Sequence, residues 1–162
     1  MPVRVLQPWF SVGYSYGSGD GDSNLNGLHE FRTRLAQPKL LILQGVDALK
    51  QEKFDSALER FQKSAELTPE LPTSYYYSGV VKERMNDPAQ AKEAYEKALE
   101  LKPDYAQVYT HLGLLLWKSG DQTRGLQEFQ KAVMSDPDLA EAHYNLGLAL
   151  ANCSARKRGF AS

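Results

Sequence analysis

The sequence predicts an all-α solenoid of antiparallel helix pairs, and three observations carry that prediction. Gly45, Gly79, Gly113 and Gly147 lie 34 residues apart. Pro69, Pro103 and Pro137 keep the same interval. Between these markers apolar residues recur three to four positions apart, the spacing of one helix face. A period of 34 is one helix–turn–helix unit, which cannot bury its own faces and is stabilised by stacking on neighbours. The 162 residues hold three complete units, a single C-terminal helix and an irregular N-terminal segment.

Residues 1–37 form that first segment. Phe10, Val12, Tyr14 and Tyr16 alternate at period two, as a short strand does, but a lone strand leaves its backbone unpaired. Gly17–Gly27 reads as a polar loop. Asp20, Asp22 and Asn24 have the opening spacing of a calcium loop. Leu25 then stands where the tight-turn glycine belongs, and Phe31 where the closing glutamate belongs. Leu28, Phe31 and Leu35 have helical spacing, with Asn26 as cap, and predict a short helix over 27–36 that shields the first repeat.

The first unit spans 38–71. Pro38 starts its first helix, where no amide donor is needed, and Leu41, Gly45 and Ala48 share a face. Phe54, Ala57, Leu58, Phe61 and Ala65 face them from the second helix, which Pro69 stops. In the second unit, 72–105, Tyr75 and Gly79 repeat the first-helix places. Asp87–Pro88 is a cap followed by a first-turn proline, and Ala91, Tyr95 and Ala98 make the second face. The third unit, 106–139, repeats the pattern with Tyr109, Leu112, Gly113 and Leu116, a turn at Gly120–Asp121, and Gly125, Phe129 and Ala132. A fourth begins at Ala140 with His143, Leu146, Gly147 and Leu150, and its pattern stops at Asn152. Residues 153–162 form a basic tail.

Tyr109–Leu112–Gly113 and Ala91–Tyr95–Pro103, with their counterparts in the other units, resemble the tetratricopeptide repeat. About 115 residues are covered, with Gln44 and Ser78 in place of the usual Leu and Gly125 in place of Ala. The resemblance implies a right-handed superhelix whose first helices line a concave groove. It places Lys39, Ile42, Leu43, Val46, Leu49 and Lys50 of unit one on that groove. The later units supply the expected partner-binding set: Tyr76, Tyr77, Val80 and Arg84, then His111, Leu114, Trp117 and Lys118, then Tyr144 and Asn145. Flat aromatic anchors dominate interface energetics, and Arg84 with Lys118 suits a carboxylate. The apolar middle of unit one is read instead as a patch covered from within the chain. Relatives that grip the acidic tail of heat-shock chaperones use Lys and Asn where this chain has Ile42 and Val46, or Tyr76 and Val80 one unit later. That argues against a chaperone-tail adaptor.

Nothing points to catalysis. His29, His111 and His143 have no Cys or carboxylate at ligand spacing, so neither a metal nor another cofactor is expected. Cys153 is the only cysteine, which excludes an intrachain disulfide and fits a reducing, cytoplasmic setting. Residues 1–37 carry no net charge and Arg156, Lys157 and Arg158 carry +3. The total of −1 therefore leaves −4 on the repeats, since 0 + 3 − 4 = −1. No global field favours nucleic acid, and no apolar run approaches the ~20 residues of a membrane span. The expected function is a non-catalytic scaffold that holds a peptide or protein segment in the groove. The alternatives are the substrate-selecting part of a larger enzyme, such as a glycosyltransferase, and self-association through the uncovered helix 140–152.

Overall fold

The computed structural model describes residues 23–159, with side-chain surroundings for residues 36–155. The described residues form seven helices and no strand: α1 Ser23–Lys50, α2 Phe54–Leu67, α3 Pro72–Arg84, α4 Pro88–Leu101, α5 Ala106–Lys118, α6 Gln122–Ser135 and α7 Ala140–Gly159. Helices α1/α2, α3/α4 and α5/α6 pair as hairpins, and each pair packs on the next through α2/α3, α4/α5 and α6/α7. This is the helical repeat solenoid that the 34-residue period predicts. The strand reading of residues 10–16 and the calcium-loop start at Asp20 and Asp22 lie outside the described residues.

Local chemistry sets the helix ends. Pro72 and Pro88 occupy first turns, and the Asp87 and Asp121 side chains accept from the Gln90 and Arg124 amides at 3.1 Å. Each hairpin turn passes through one left-handed residue at the same repeat position: Glu52 (φ 58°), Asn86 (φ 61°) and Gly120 (φ 92°). The following amide then reaches back to a carbonyl in the last turn, Lys53 to Ala48 at 2.9 Å, Asp87 to Lys82 at 2.9 Å and Asp121 to Leu116 at 3.0 Å. That is the Schellman closure, which satisfies carbonyls left open at a helix end. Only Gly120 adopts the conformation without steric cost.

Inside each hairpin, glycine meets an aromatic ring. A Cβ on Gly45 would stand 2.5 Å from the Phe61 ring, one on Gly79 2.5 Å from Tyr95, and one on Gly113 2.6 Å from Phe129. All three rings are buried, with small residues beside them: Ala57, Ala91 and Gly125 on one side, Ser64, Ala98 and Ala132 on the other. In the first unit Ser64, not the expected Ala65, takes the close-packed place. Its buried hydroxyl donates to the Pro38 carbonyl (3.1 Å) and accepts from Ser74 Oγ (3.0 Å). This polar chain ties α1, α2 and α3 together with every member partnered.

Three expectations change at the ends of the array. Helix α1 runs through Pro38 without a break, so the separate helix over 27–36 and the first-unit start at Pro38 are replaced by one 28-residue helix. Proline removes one amide from the ladder, while burial of Pro38 and the Ser64 bond hold the segment against α2. Residues 23–27, read as loop with Asn26 as cap, belong to this helix. At the other end α7 continues past Asn152 to Gly159, so most of the basic tail is helical. Ala, Leu, Lys and Arg in 149–158 are good helix formers and no Pro or Gly interrupts them.

The glycine contacts yield a paired prediction. Gly113→Ala forces Phe129 out of its seat and is expected to destabilise the fold by about 1–3 kcal/mol. Gly147→Ala meets nothing within 4 Å and is expected to be neutral or to stabilise by up to ~1 kcal/mol through helix propensity. Urea denaturation of the two variants checks the contrast; equal costs at both positions would refute it.

Candidate binding groove

The first helices α1, α3, α5 and α7 carry the residues expected to line the groove. The structure divides them into a floor of interlocked side chains and a set of accessible ones. Tyr76 is the centre of the floor. Its ring lies 4.9 Å from Tyr77, 5.2 Å from Tyr105 and 5.6 Å from His111, and 6.3 Å from the buried Tyr95. Tyr77 stacks on Phe61 of the preceding unit at 5.3 Å, nearly parallel. Val80 packs on the core formed by Ala91, Tyr95, Ala98, Val108 and Leu112. Leu114 is half-buried on α5. Trp117 turns toward its own hairpin, 6.3 Å from Phe129 and against Gly125, where a Cβ would stand 3.3 Å from the indole. The missing methyl at Gly125 makes room for it.

A carboxylate, Glu83, organises the polar part. Its side chain is 15% exposed and both oxygens are engaged. Oε1 accepts from Lys118 Nζ at 3.1 Å, and Oε2 accepts from the Tyr95 hydroxyl at 3.1 Å and lies 3.0 Å from His111 Nδ1. The other imidazole nitrogen, His111 Nε2, is 3.3 Å from the Tyr76 hydroxyl. The network thus joins α3, α4 and α5 across the boundary between units two and three. Burial alone pushes the Glu83 carboxyl up. The hydrogen bonds and charges of His111 and Lys118 outweigh it and hold the group down at about 2. Burial also pushes the Tyr76 and Tyr95 hydroxyls well above the ordinary phenol value, aided by neighbouring tyrosines and Glu83. Both phenols stay neutral across the physiological range, and Tyr95 donates to Glu83.

The accessible set is smaller. Arg84 is exposed, Lys118 is 67% exposed but tethered to Glu83, and Tyr144 is 69% exposed on α7. Asn145 is buried and donates through Nδ2 to the Glu141 carbonyl in its own helix at 3.0 Å. In unit one Ile42 is buried with Phe61 and Val81, and Val46 and Leu49 pack against that cluster, whereas Leu43 is 64% exposed. The covered-patch reading of unit one therefore describes three of its four apolar residues. Glu83 and Tyr105 are the organising residues absent from the expected binding set. The signal for Glu83 was present: it holds the twelfth repeat place, where Leu49 and Trp117 stand in the neighbouring units, one unit away from the cation Lys118.

Among the described residues no cluster of three or more His, Cys, Asp or Glu side chains has metal-holding geometry, and no helix is long and apolar enough to cross a membrane.

A family model described as "TPR repeat" matches residues 86–120, and one described as "Tetratricopeptide repeat" matches residues 112–152. Residues 86–152 therefore match tetratricopeptide-repeat models. Solved structures agree on a fold of this kind. The first TPR domain of human RPAP3 superposes with a TM-score of 0.68 at 18% identity, covering 76% of this chain and 97% of that one. The first TPR of Spaghetti (RPAP3), solved bound to an HSP90 peptide SRMEEVD, gives 0.66 at 19%, covering 73% and 94%. An O-GlcNAc transferase variant from Thermobaculum terrenum gives 0.67 at 22%, covering 72% of this chain but 22% of that one. No curated protein sequence matches the chain.

Because the folded-state value of Glu83 is depressed, its network stabilises the fold fully above the unfolded value near 4.5. The contribution is lost as pH falls through about 2. Glu83→Gln is expected to cost about 2–3 kcal/mol at neutral pH. The gap from the parent protein should shrink between pH 4.5 and 2. Denaturant titrations at several pH values measure it; a gap independent of pH would refute the assignment.

Proposed function

We propose that this chain is a non-catalytic scaffold that holds a segment of a partner protein along the groove of its first helices. The observation that carries the reading is the division just described. A fixed floor of tyrosines and the Glu83 network presents a small accessible set of Leu43, Arg84, Lys118 and Tyr144. Preorganisation of this kind lowers the cost of binding, because the floor loses no freedom when a partner docks. An exposed tyrosine and arginine are residue types that anchor interfaces. The HSP90-peptide relative supports a protein partner in general. An acidic chaperone tail suits this groove poorly: Ile42 and Tyr76 stand at the clamp's places, and Lys118 is already neutralised by Glu83.

Tyr76 and Trp117 support the fold, so their truncation would not separate binding from stability. Tyr144→Ala combined with Arg84→Glu leaves the floor intact. The double variant is expected to melt within a few degrees of the parent. It should lose partners that the parent captures in affinity purification with quantitative mass spectrometry. An unchanged partner set in a folded double variant would sink the groove reading.

A second reading, self-association through α7, is favoured by one observation. Gly45, Gly79 and Gly113 each carry a ring, but nothing among the described residues lies within 4 Å of a Cβ on Gly147, and Leu150 beside it is 45% exposed. In this reading a second copy covers that face. Sedimentation velocity is then expected to show a mass that rises with concentration and collapses to monomer in Leu150→Lys. A parent protein that stays monomeric at the highest attainable concentration removes this reading.

A further inference from the structure

Each end of the array holds half of a hairpin. In the complete hairpins a buried glycine of the first helix faces an aromatic ring of the second: Gly45–Phe61, Gly79–Tyr95 and Gly113–Phe129. Gly147 holds the same place on α7 but is exposed, and no second helix follows α7 among the described residues. Leu150 beside it is 45% exposed. At the other end α1 is twice as long as its partner α2, 28 residues against 14. The bond from Ser64 to the Pro38 carbonyl fixes their register, so the N-terminal half of α1 runs about 20 Å past the end of α2. Helix α3 starts at that end of α2 and packs back along it, so neither helix flanks the overhang.

The overhang has the residue pattern of a second helix. Gly27-Leu28-His29-Glu30-Phe31 differs from Gly125-Leu126-Gln127-Glu128-Phe129 of α6 only at its middle residue. Every second helix sets a small residue four places before its ring and another three places after it: Ala57–Phe61–Ser64, Ala91–Tyr95–Ala98 and Gly125–Phe129–Ala132. Gly27 and Phe31 keep the first interval. The match stands off the 34-residue period, because Phe31 precedes Phe61 by 30 residues. It departs at the third place, where Arg34 replaces the small residue.

That departure is matched at the opposite end of the array. The Ser64 bond to Pro38 shows that the third place lies beside the first residues of the facing repeat helix. On α7 those residues are Ala140 and Glu141, and Glu141 is exposed. Its counterparts in the earlier units are Lys39, Thr73 and Gln107, so only the unit without a second helix carries a carboxylate there. Only the overhang, which has no first helix before it among the described residues, carries a cation at the third place. Opposite charges placed in this way select which surfaces meet. Helices α1 and α7 stand at the two ends of the packing order with five helices between them, so the two half-hairpins meet between molecules rather than within one.

We infer that the Gly147 face of α7 takes the N-terminal half of α1 from a second copy of this chain, with Phe31 opposite Gly147 and Arg34 beside Glu141. The inference rests on the reading that α7 self-associates and names the segment it pairs with. The contact runs head to tail. Each molecule offers one face and one half-helix, so molecules join into rings or open chains.

The test is sedimentation velocity on the full chain. The parent protein is expected to associate as its concentration rises. Phe31→Ala and Gly147→Leu are each expected to stay monomeric where the parent is associated, with thermal melts reporting their folding. Gly147→Leu keeps its half-helix and Phe31→Ala keeps its face, so an equimolar mixture is expected to form a dimer and nothing larger. Arg34→Glu should raise the concentration of half-association about tenfold, and Glu141→Arg added to the same chain should restore it. A parent protein that is monomeric at the highest attainable concentration overturns this pairing and the α7 reading together. Association that survives Phe31→Ala but is lost in Leu150→Lys overturns the pairing alone and leaves the α7 reading standing. A mixture that stays monomeric, or that grows beyond a dimer, also overturns the pairing. If Phe31→Ala or Gly147→Leu does not fold, the charge exchange decides, and failure of Glu141→Arg to restore association overturns the pairing.

Discussion

The close approach of a glycine backbone to an aromatic ring sixteen residues later is the contact on which the rest of the array depends. It occurs as Gly45–Phe61, Gly79–Tyr95 and Gly113–Phe129, and in each case a single methyl on the glycine would collide with the ring. That contact sets how near the two helices of a hairpin lie. The hairpin separation then sets which residues of the next unit can reach it. Tyr77 meets Phe61, and Tyr76 and His111 meet Tyr95, because each ring is held in place from its own unit's glycine. The turn that permits the pairing is equally periodic. Its left-handed residue recurs as Glu52, Asn86 and Gly120, and the first two adopt a conformation that only the third accepts without strain.

The boundary between units two and three carries a network centred on one carboxylate. Glu83 gathers His111, Lys118 and Tyr95 onto one carboxylate. Half-buried ion pairs often contribute little, because desolvation offsets their attraction. Here three donors from two neighbouring helices share the acceptor, and the net effect favours the charged form. The arrangement supplies from within the chain the carboxylate that accepts from the Lys118 ammonium.

Repetition also makes divergence readable. Two units with the same backbone present crevices of different size and chemistry because Ser78, Lys82 and Ala94 became Leu112, Leu116 and Glu128. The change from Ala to Gly125 acts similarly, admitting Trp117 against α6. Each unit thus keeps the framework contact and varies what surrounds it, so units with one backbone differ in which groups they leave exposed.

The 34-residue period by itself determined the fold class, the number of helix pairs, the hairpin partners and the glycine–aromatic framework. Those features are local or repeat at constant offset, so spacing alone encodes them. The same counting, with the resemblance to tetratricopeptide repeats, implied which first-helix residues would line a groove. It did not separate Tyr76, Tyr77 and Trp117, which are engaged by other rings, from Tyr144 and Arg84, which stand free. That separation depends on rings and charges brought together from different units. The ends of the array were also invisible to periodicity, because α1 runs through Pro38 and α7 beyond Asn152 where no repeat contact constrains them. Only the tertiary structure decided that Glu83 is already satisfied and that one oxygen of Glu128 is not. Counting repeat places puts Glu83 one unit from Lys118, but the bonds it shares with residues 28 and 35 positions away depend on side-chain positions that a pattern of residue types does not encode.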